Sequence, residues 1–167
     1  MMMRLSIQNF AMAGMLAAAL FSAGCAGHKK GMDGAGMAGV GGVAAPGSPQ
    51  EFQTAVGDRV FFETDITSLS PQAQATLEKQ AQWLTRYRQY AFTIEGHADE
   101  RGTREYNLAL GARRAASVQA YLVSRGIAAN RMKTVSYGKE RPVAVCDDIS
   151  CWSQNRRAVT VLNGAGS

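Results

Sequence analysis

Residues 26–50 have almost nothing to bury, and this limits every other reading of the chain. Of the 18 glycines in the 167-residue sequence, eight fall in this stretch, among alanines and small polar residues. Such a segment cannot offset the conformational entropy lost on ordering it. It is expected to be an unstructured, flexible tether with a root-mean-square span of roughly 25–30 Å. Folding is then confined to residues 51–163, enough for one compact domain. The chain as a whole is 46% hydrophobic, which excludes wholesale disorder.

Ahead of the tether, Arg4 supplies one positive charge, and no charged residue follows until Lys29. Phe10 to Phe21 is apolar and too short to span a bilayer, as expected of a secretory signal over residues 1–24. Ser22-Ala23-Gly24-Cys25 resembles the lipobox of bacterial lipoproteins, with serine where leucine is usual. The resemblance implies that Cys25 becomes the first mature residue and carries a diacylglyceryl group and an amide-linked acyl chain. These acyl chains would hold it durably in a membrane. Ala26 stands where aspartate usually signals inner-membrane retention, which points to the outer membrane with the domain facing the periplasm. The formal charge of +5 comes without any run of lysine and arginine among aromatics, so nucleic acid is not an expected partner.

Within the domain, hydrophobic periodicity alternates between two kinds of element. Val60-Phe61-Phe62 reads as a short strand. Ser70-Pro71 is a helix start, serine capping and proline in the first turn, and Ala73, Leu77, Ala81 and Leu84 recur at helical spacing. Tyr90–Gly96 is rich in β-formers and predicts a second strand. Thr103 can cap a helix bearing Leu108, Gly111, Ala115, Val118 and Leu122, ended by Gly126. Met132–Tyr137 and Ala158–Leu162 read as the last two strands. Four strands and two main helices predict an α/β two-layer sandwich.

The segment IEGHADERGTREYNLALGARRA, residues 94–115, leaves a strand, crosses a polar loop and enters a helix. Asn107, Leu110 and Arg114 share one helix face, and Asp99 lies over that helix's start. An acid and an arginine across a groove can clasp a zwitterion: the carboxylate takes an ammonium, and the guanidinium takes a carboxylate through paired hydrogen bonds. Spacing equally allows Asp99 and Arg114 simply to pair with each other on the surface.

Five ordered blocks carry a resemblance: VFFETD at 60–65, GHADERGT at 96–103, EYNLALGARRA at 105–115, VSYGKERP at 135–142 and NRRAV at 155–159. Together they resemble the OmpA-like peptidoglycan-binding domain family, in particular its lipid-anchored members. That likeness implies a mixed four-stranded sheet and non-covalent binding of meso-diaminopimelate in the peptidoglycan stem peptide. By motif, Asp99 and Arg114 take the free end of diaminopimelate, Asn107 and Leu110 flank the groove, and Phe62 and Glu63 close it. Glu63 stands in place of the family's usual aspartate. The resemblance further implies a link between outer membrane and wall, cooperation with the Tol system during cell division, and TolB and other Tol proteins as partners. Arg113, Arg156 and Arg157 could face acidic partners, stabilise the fold or lie beside the glycan.

Catalysis is disfavoured. His28 and His97 are the chain's two histidines, and His28 lies in the tether, so a zinc site lacks ligands. No serine or cysteine nucleophile has an adjacent histidine and orienting acid. His97 is expected to shape its loop, and neither metal nor cofactor is expected beyond the lipid on Cys25. Cys146 and Cys151, in an exported chain, favour a disulfide closing a small loop. A flagellar-stator-like wall anchor is the alternative reading, but it needs an acid within a membrane helix, and residues 5–27 contain none.

Overall fold

Two serine–proline pairs start the helices that frame the first strand. The computed structural model describes residues 44–164; the signal segment, Cys25 and residues 26–43 of the tether lie outside them. Ser48 caps a single turn, α1 (Pro49–Glu51), which runs on into a wider turn over Phe52–Gly57. Strand β1 (Arg59–Phe61) follows, one residue earlier than expected. At α2 (Pro71–Arg86) the Ser70 hydroxyl accepts the Ala73 N–H at 3.1 Å, satisfying an amide that the first turn leaves open.

Gly47, read from sequence as tether, is held on the domain. The Tyr90 hydroxyl donates to the Gly47 carbonyl at 2.8 Å, and Gly47 N–H and Trp83 Nε1–H both donate to one Glu51 oxygen at 2.7 Å. Glycine tolerates this position because its φ is +77° and a side chain would run into Tyr87.

Strand β2 (Phe92–His97), helix α3 (Arg104–Ser124) and strand β3 (Met132–Gly138) form a parallel unit. The chain then makes α4 (Ile149–Asn155) and returns as β4 (Arg157–Leu162). Sheet order is β1-β4-β2-β3, with β4 antiparallel to both β1 and β2. This is the expected four-stranded mixed sheet with α2 and α3 as the main helices. Phe92 and Ile94 of β2 pack with Leu77 and Leu84 of α2 and Val118 and Leu122 of α3 in one core, all of them at most 1% exposed. Full burial of such side chains stabilises by about 1.5–3 kcal/mol each.

One position of α3 differs from the periodic reading. Leu108 is 44% exposed, and the buried stripe enters the helix through Asn107 and Leu110 instead. The cause is a close backbone approach at Gly96 and Gly111: a methyl on Gly96 would overlap the Gly111 carbonyl. With α3 against β2 at that point, Arg114 faces inward and Leu108 outward. Helix α4 was not expected either; Asp148 caps it by accepting the Ser150 N–H at 2.7 Å.

Candidate functional site

At the C-terminal end of β2, three segments meet: the β1–α2 loop, the β2–α3 loop and the residue that leaves α4. Arg114 lies beneath them, fully buried. Its Nη1 donates to the His97 carbonyl at 2.8 Å, its Nη2 to Glu63 at 2.9 Å and its Nε to Ile66 at 3.0 Å. The Phe62 ring lies 5.1 Å from the guanidinium. Burial, then the nearby charge of Arg156, lowers the Arg114 pKa to about 10, so the cation persists at neutral pH.

Asp99 is also buried, and its charge is held by other partners. Arg101 donates to it through its backbone N–H and Nε at 3.2 Å and through Nη2 at 2.6 Å, and Arg156 Nη1 donates at 3.3 Å. Burial pushes the Asp99 pKa up, but the hydrogen bonds from Arg101 and Arg156 outweigh it and hold the carboxyl below its ordinary range. Asp99 and Arg114 make no direct hydrogen bond or ion pair among the described residues.

Over this floor lies a pocket of about 190 Å³, lined by Thr64, Asp65, Asp99, Arg101, Gly102 and Tyr106. The Tyr106 hydroxyl donates to Asp65 at 3.2 Å, and Asp65 holds a left-handed backbone, φ 55°. Asn107 and Leu110 stand behind the pocket: Asn107 donates to the Arg101 carbonyl at 2.6 Å and fixes the loop, and Leu110 is buried. Phe62 and Glu63 line a neighbouring cavity of about 480 Å³ with Ile66, Leu69 and Arg156. The structure therefore brings Asp99 together with Thr64 and Asp65 around one pocket, whereas Phe62 and Glu63 line the neighbouring one.

Arg101, Asp65, Thr64 and Tyr106 were the residues sequence reading passed over. All four lie within quoted motifs, and alternation along an extended VFFETD segment would have set Asp65 on the same side as Glu63. Among the three arginines left open, Arg156 is a buried fold-stabilising residue that donates to the Phe62 carbonyl at 3.0 Å. Arg157 is buried as well, donating to Asn155 and Arg141 carbonyls, and Arg113 is exposed. Cys146 and Cys151 are disulfide-bonded, with Cα atoms 5.7 Å apart. His97 is buried with neither ring nitrogen hydrogen-bonded, Nε2 lying 3.7 Å from a Glu95 oxygen, and no cluster of three metal-ligating residues occurs among the described residues.

The profile of the OmpA family matches residues 61–156. The chain belongs to the OmpA family. A peptidoglycan-associated lipoprotein of Rhizobium meliloti is 69% identical over 87% of this chain and 83% of its own length. The crystal structure of the peptidoglycan-associated lipoprotein from Burkholderia pseudomallei, 42% identical, superposes with a TM-score of 0.65 over 70% of this chain and all of that one. The C-terminal domain of Helicobacter pylori MotB, at 21% identity and TM-score 0.59, covers 64% of this chain and 84% of its own and shares the fold. The OmpA-family profile spans the whole pocket: every wall residue from Thr64 to Tyr106 lies inside the match, as do Arg114 and Arg156 beneath it.

Proposed function

We propose that this OmpA-family domain binds peptidoglycan non-covalently through the free end of meso-diaminopimelate, and that lipid on Cys25 ties it to the outer membrane. The protein is then a linker and not an enzyme. What carries this reading is the opposition of charges in one pocket, with Asp65 and the buried Asp99 facing Arg101 above the buried Arg114. A carbon bearing both an ammonium and a carboxylate matches that arrangement. Arg114 uses three of the five N–H groups a guanidinium offers. Those bonds hold the 63–66 loop and the end of β2 around the guanidinium, so Arg114 sets the floor on which Asp65, Asp99 and Arg101 meet a ligand. The relatives named as peptidoglycan-associated lipoproteins support the wall as the binding partner.

Single domains gripping one small group bind weakly, but many lipid-tethered copies on one polymer gain retention through effective concentration. That mode of attachment suits cooperation with Tol proteins, TolB among them, at sites of envelope constriction during division. The test is sedimentation of the full-length chain with purified peptidoglycan, compared with Asp99→Asn and Arg114→Lys. Loss of co-sedimentation in both variants, each with a native circular dichroism spectrum, is expected. Undiminished binding in both overturns the site.

A further inference from the structure

The acid at the centre of the pocket has no acceptor position left for a ligand. A carboxylate offers about four lone-pair sites. In the free protein one Asp99 oxygen takes the Arg101 N–H and Nε–H, and the other takes Arg101 Nη2 and Arg156 Nη1. An incoming ammonium must therefore displace an arginine. Arg156 is poorly suited to leave: its side chain is 5% exposed and also holds the Phe62 carbonyl. Arg101, 40% exposed on the β2–α3 loop, is the exchangeable one.

Arg101 is held from its outer side by α4. The Trp152 ring lies 4.2 Å from the guanidinium carbon, and the indole N–H donates to Glu100, the residue before Arg101. Trp152 follows Cys151, whose bond to Cys146 staples the start of α4 to the loop before it. The Asn155 amide, in the last turn of α4, takes the N–H groups of Val143 and Ala144 and fixes the other end.

We propose that Arg101 determines the ligand specificity of this pocket. In the free protein it stands in for the ligand's ammonium on Asp99, under the hold of Trp152 and the disulfide. It gives way to a ligand that supplies an ammonium to Asp99 and a carboxylate to Arg101 itself. A plain amine, or an amine beside a carboxamide, would leave the released guanidinium without an anion; a zwitterion restores both ion pairs. The inference rests on the wall-ligand reading above and adds to it a discrimination between a free and an amidated diaminopimelate terminus.

Calorimetry of the full-length chain in detergent tests it, with two tripeptides ending in meso-diaminopimelate, one free at the terminal carboxylate and one amidated there. The wild type is expected to prefer the free acid by about tenfold or more, the size of a charge-assisted hydrogen bond. Arg101→Ala is expected to bind the two peptides within about threefold of each other. Trp152→Ala, with the hold on Arg101 relaxed, is expected to bind the free acid several-fold more tightly and keep the preference. A preference that survives in Arg101→Ala, or weaker binding in Trp152→Ala, overturns the inference while leaving the wall-ligand reading intact if Asp99→Asn abolishes binding. A folded wild type that binds neither peptide overturns both.

Discussion

At the Tyr90 end of β2, Arg131 donates to the main-chain carbonyls of Leu84, Tyr87 and Tyr90; at the His97 end, Arg114 donates to those of Glu63, Ile66 and His97. The device is the same and the surroundings are opposite. Around the first lie Phe52, Trp83, Tyr87 and Tyr90, with Trp83 centred 4.6–5.2 Å from each of the other three rings. Around the second lie Asp99, Arg101, Arg156 and the buried His97, whose ring makes no hydrogen bond. One end therefore closes largely with apolar packing, which shows that this fold can seal a sheet end without a fully buried charge. Buried charge at the other end costs desolvation, a cost that the proposed function accounts for by the charged ligand to be met there.

The sharpest way to break this contrast is to remove each staple. Arg114→Ala removes three hydrogen bonds of a fully buried guanidinium, one to a buried carbonyl and two to part-buried ones, at about 1–3 kcal/mol each, so a loss on the order of 5 kcal/mol in denaturant unfolding is expected, with wall binding abolished. Arg131→Ala, at a half-buried position, is expected to cost only about 1–2 kcal/mol. Equal losses would mean that the two ends are not built differently. Phe52→Ala is expected to cost about 3–5 kcal/mol and, at temperatures where the variant stays folded, to leave wall binding unchanged.

Acid titration separates the ends by a different property. Burial, with the charges of Arg157 and Arg141 nearby, lowers the His97 pKa from 6.5 to about 4. The unfolded chain takes up this proton first as the pH falls. Stability should therefore drop between pH 6.5 and about 4, by about 3 kcal/mol for a shift of this size. In His97→Phe that decline is expected to vanish from the plot of denaturation midpoint against pH. A similar slope in the variant would move its origin away from the site end.

Much of the frame was visible in the chain before any coordinates. The serine and threonine caps at 70 and 103 and the apolar spacing of α2 and the later turns of α3 mark local preferences that the core reinforces. The first turns of α3 were less legible, because there the buried face is polar. Hydrophobic periodicity selected Leu108, whereas the backbone contact at Gly96 and Gly111 turns Asn107 and Arg114 inward. Asp99 and Arg114 stood out by chemistry, but their partners did not. Arg101 and Asp65 reach the pocket through loop geometry with no period, and α4 is a seven-residue helix that needs the disulfide and Asn155 to fix it. Motifs locate a charged site more readily than they say which charges touch.

The disulfide predicts a smaller effect that falls on the site end alone. Closing so short a loop stabilises by about 2 kcal/mol in the chain-entropy account. Cys146→Ser with Cys151→Ser is expected to lower stability by that amount and to raise local hydrogen exchange in α4. Exchange at the Phe52–Tyr90 cluster should change only in proportion to global stability. Faster exchange at both ends alike would show that α4 is not an independent part of the site.

The smallest effect bears on Asp99 itself. Its folded pKa lies below the usual 3.8 because the bonds from Arg101 and Arg156 outweigh burial. Its contribution to stability is then fully present above pH 3.8 and fades as the pH falls through the lowered folded value. This window lies below that of His97, so the two can be read from one acid titration. Asp99→Asn is expected to flatten the most acidic arm and leave the decline between pH 6.5 and 4 in place. An unchanged acidic arm would mean that the arginine bonds to Asp99 serve ligand discrimination without stabilising the fold, and the charged end would then owe its stability to Arg114 and its carbonyls.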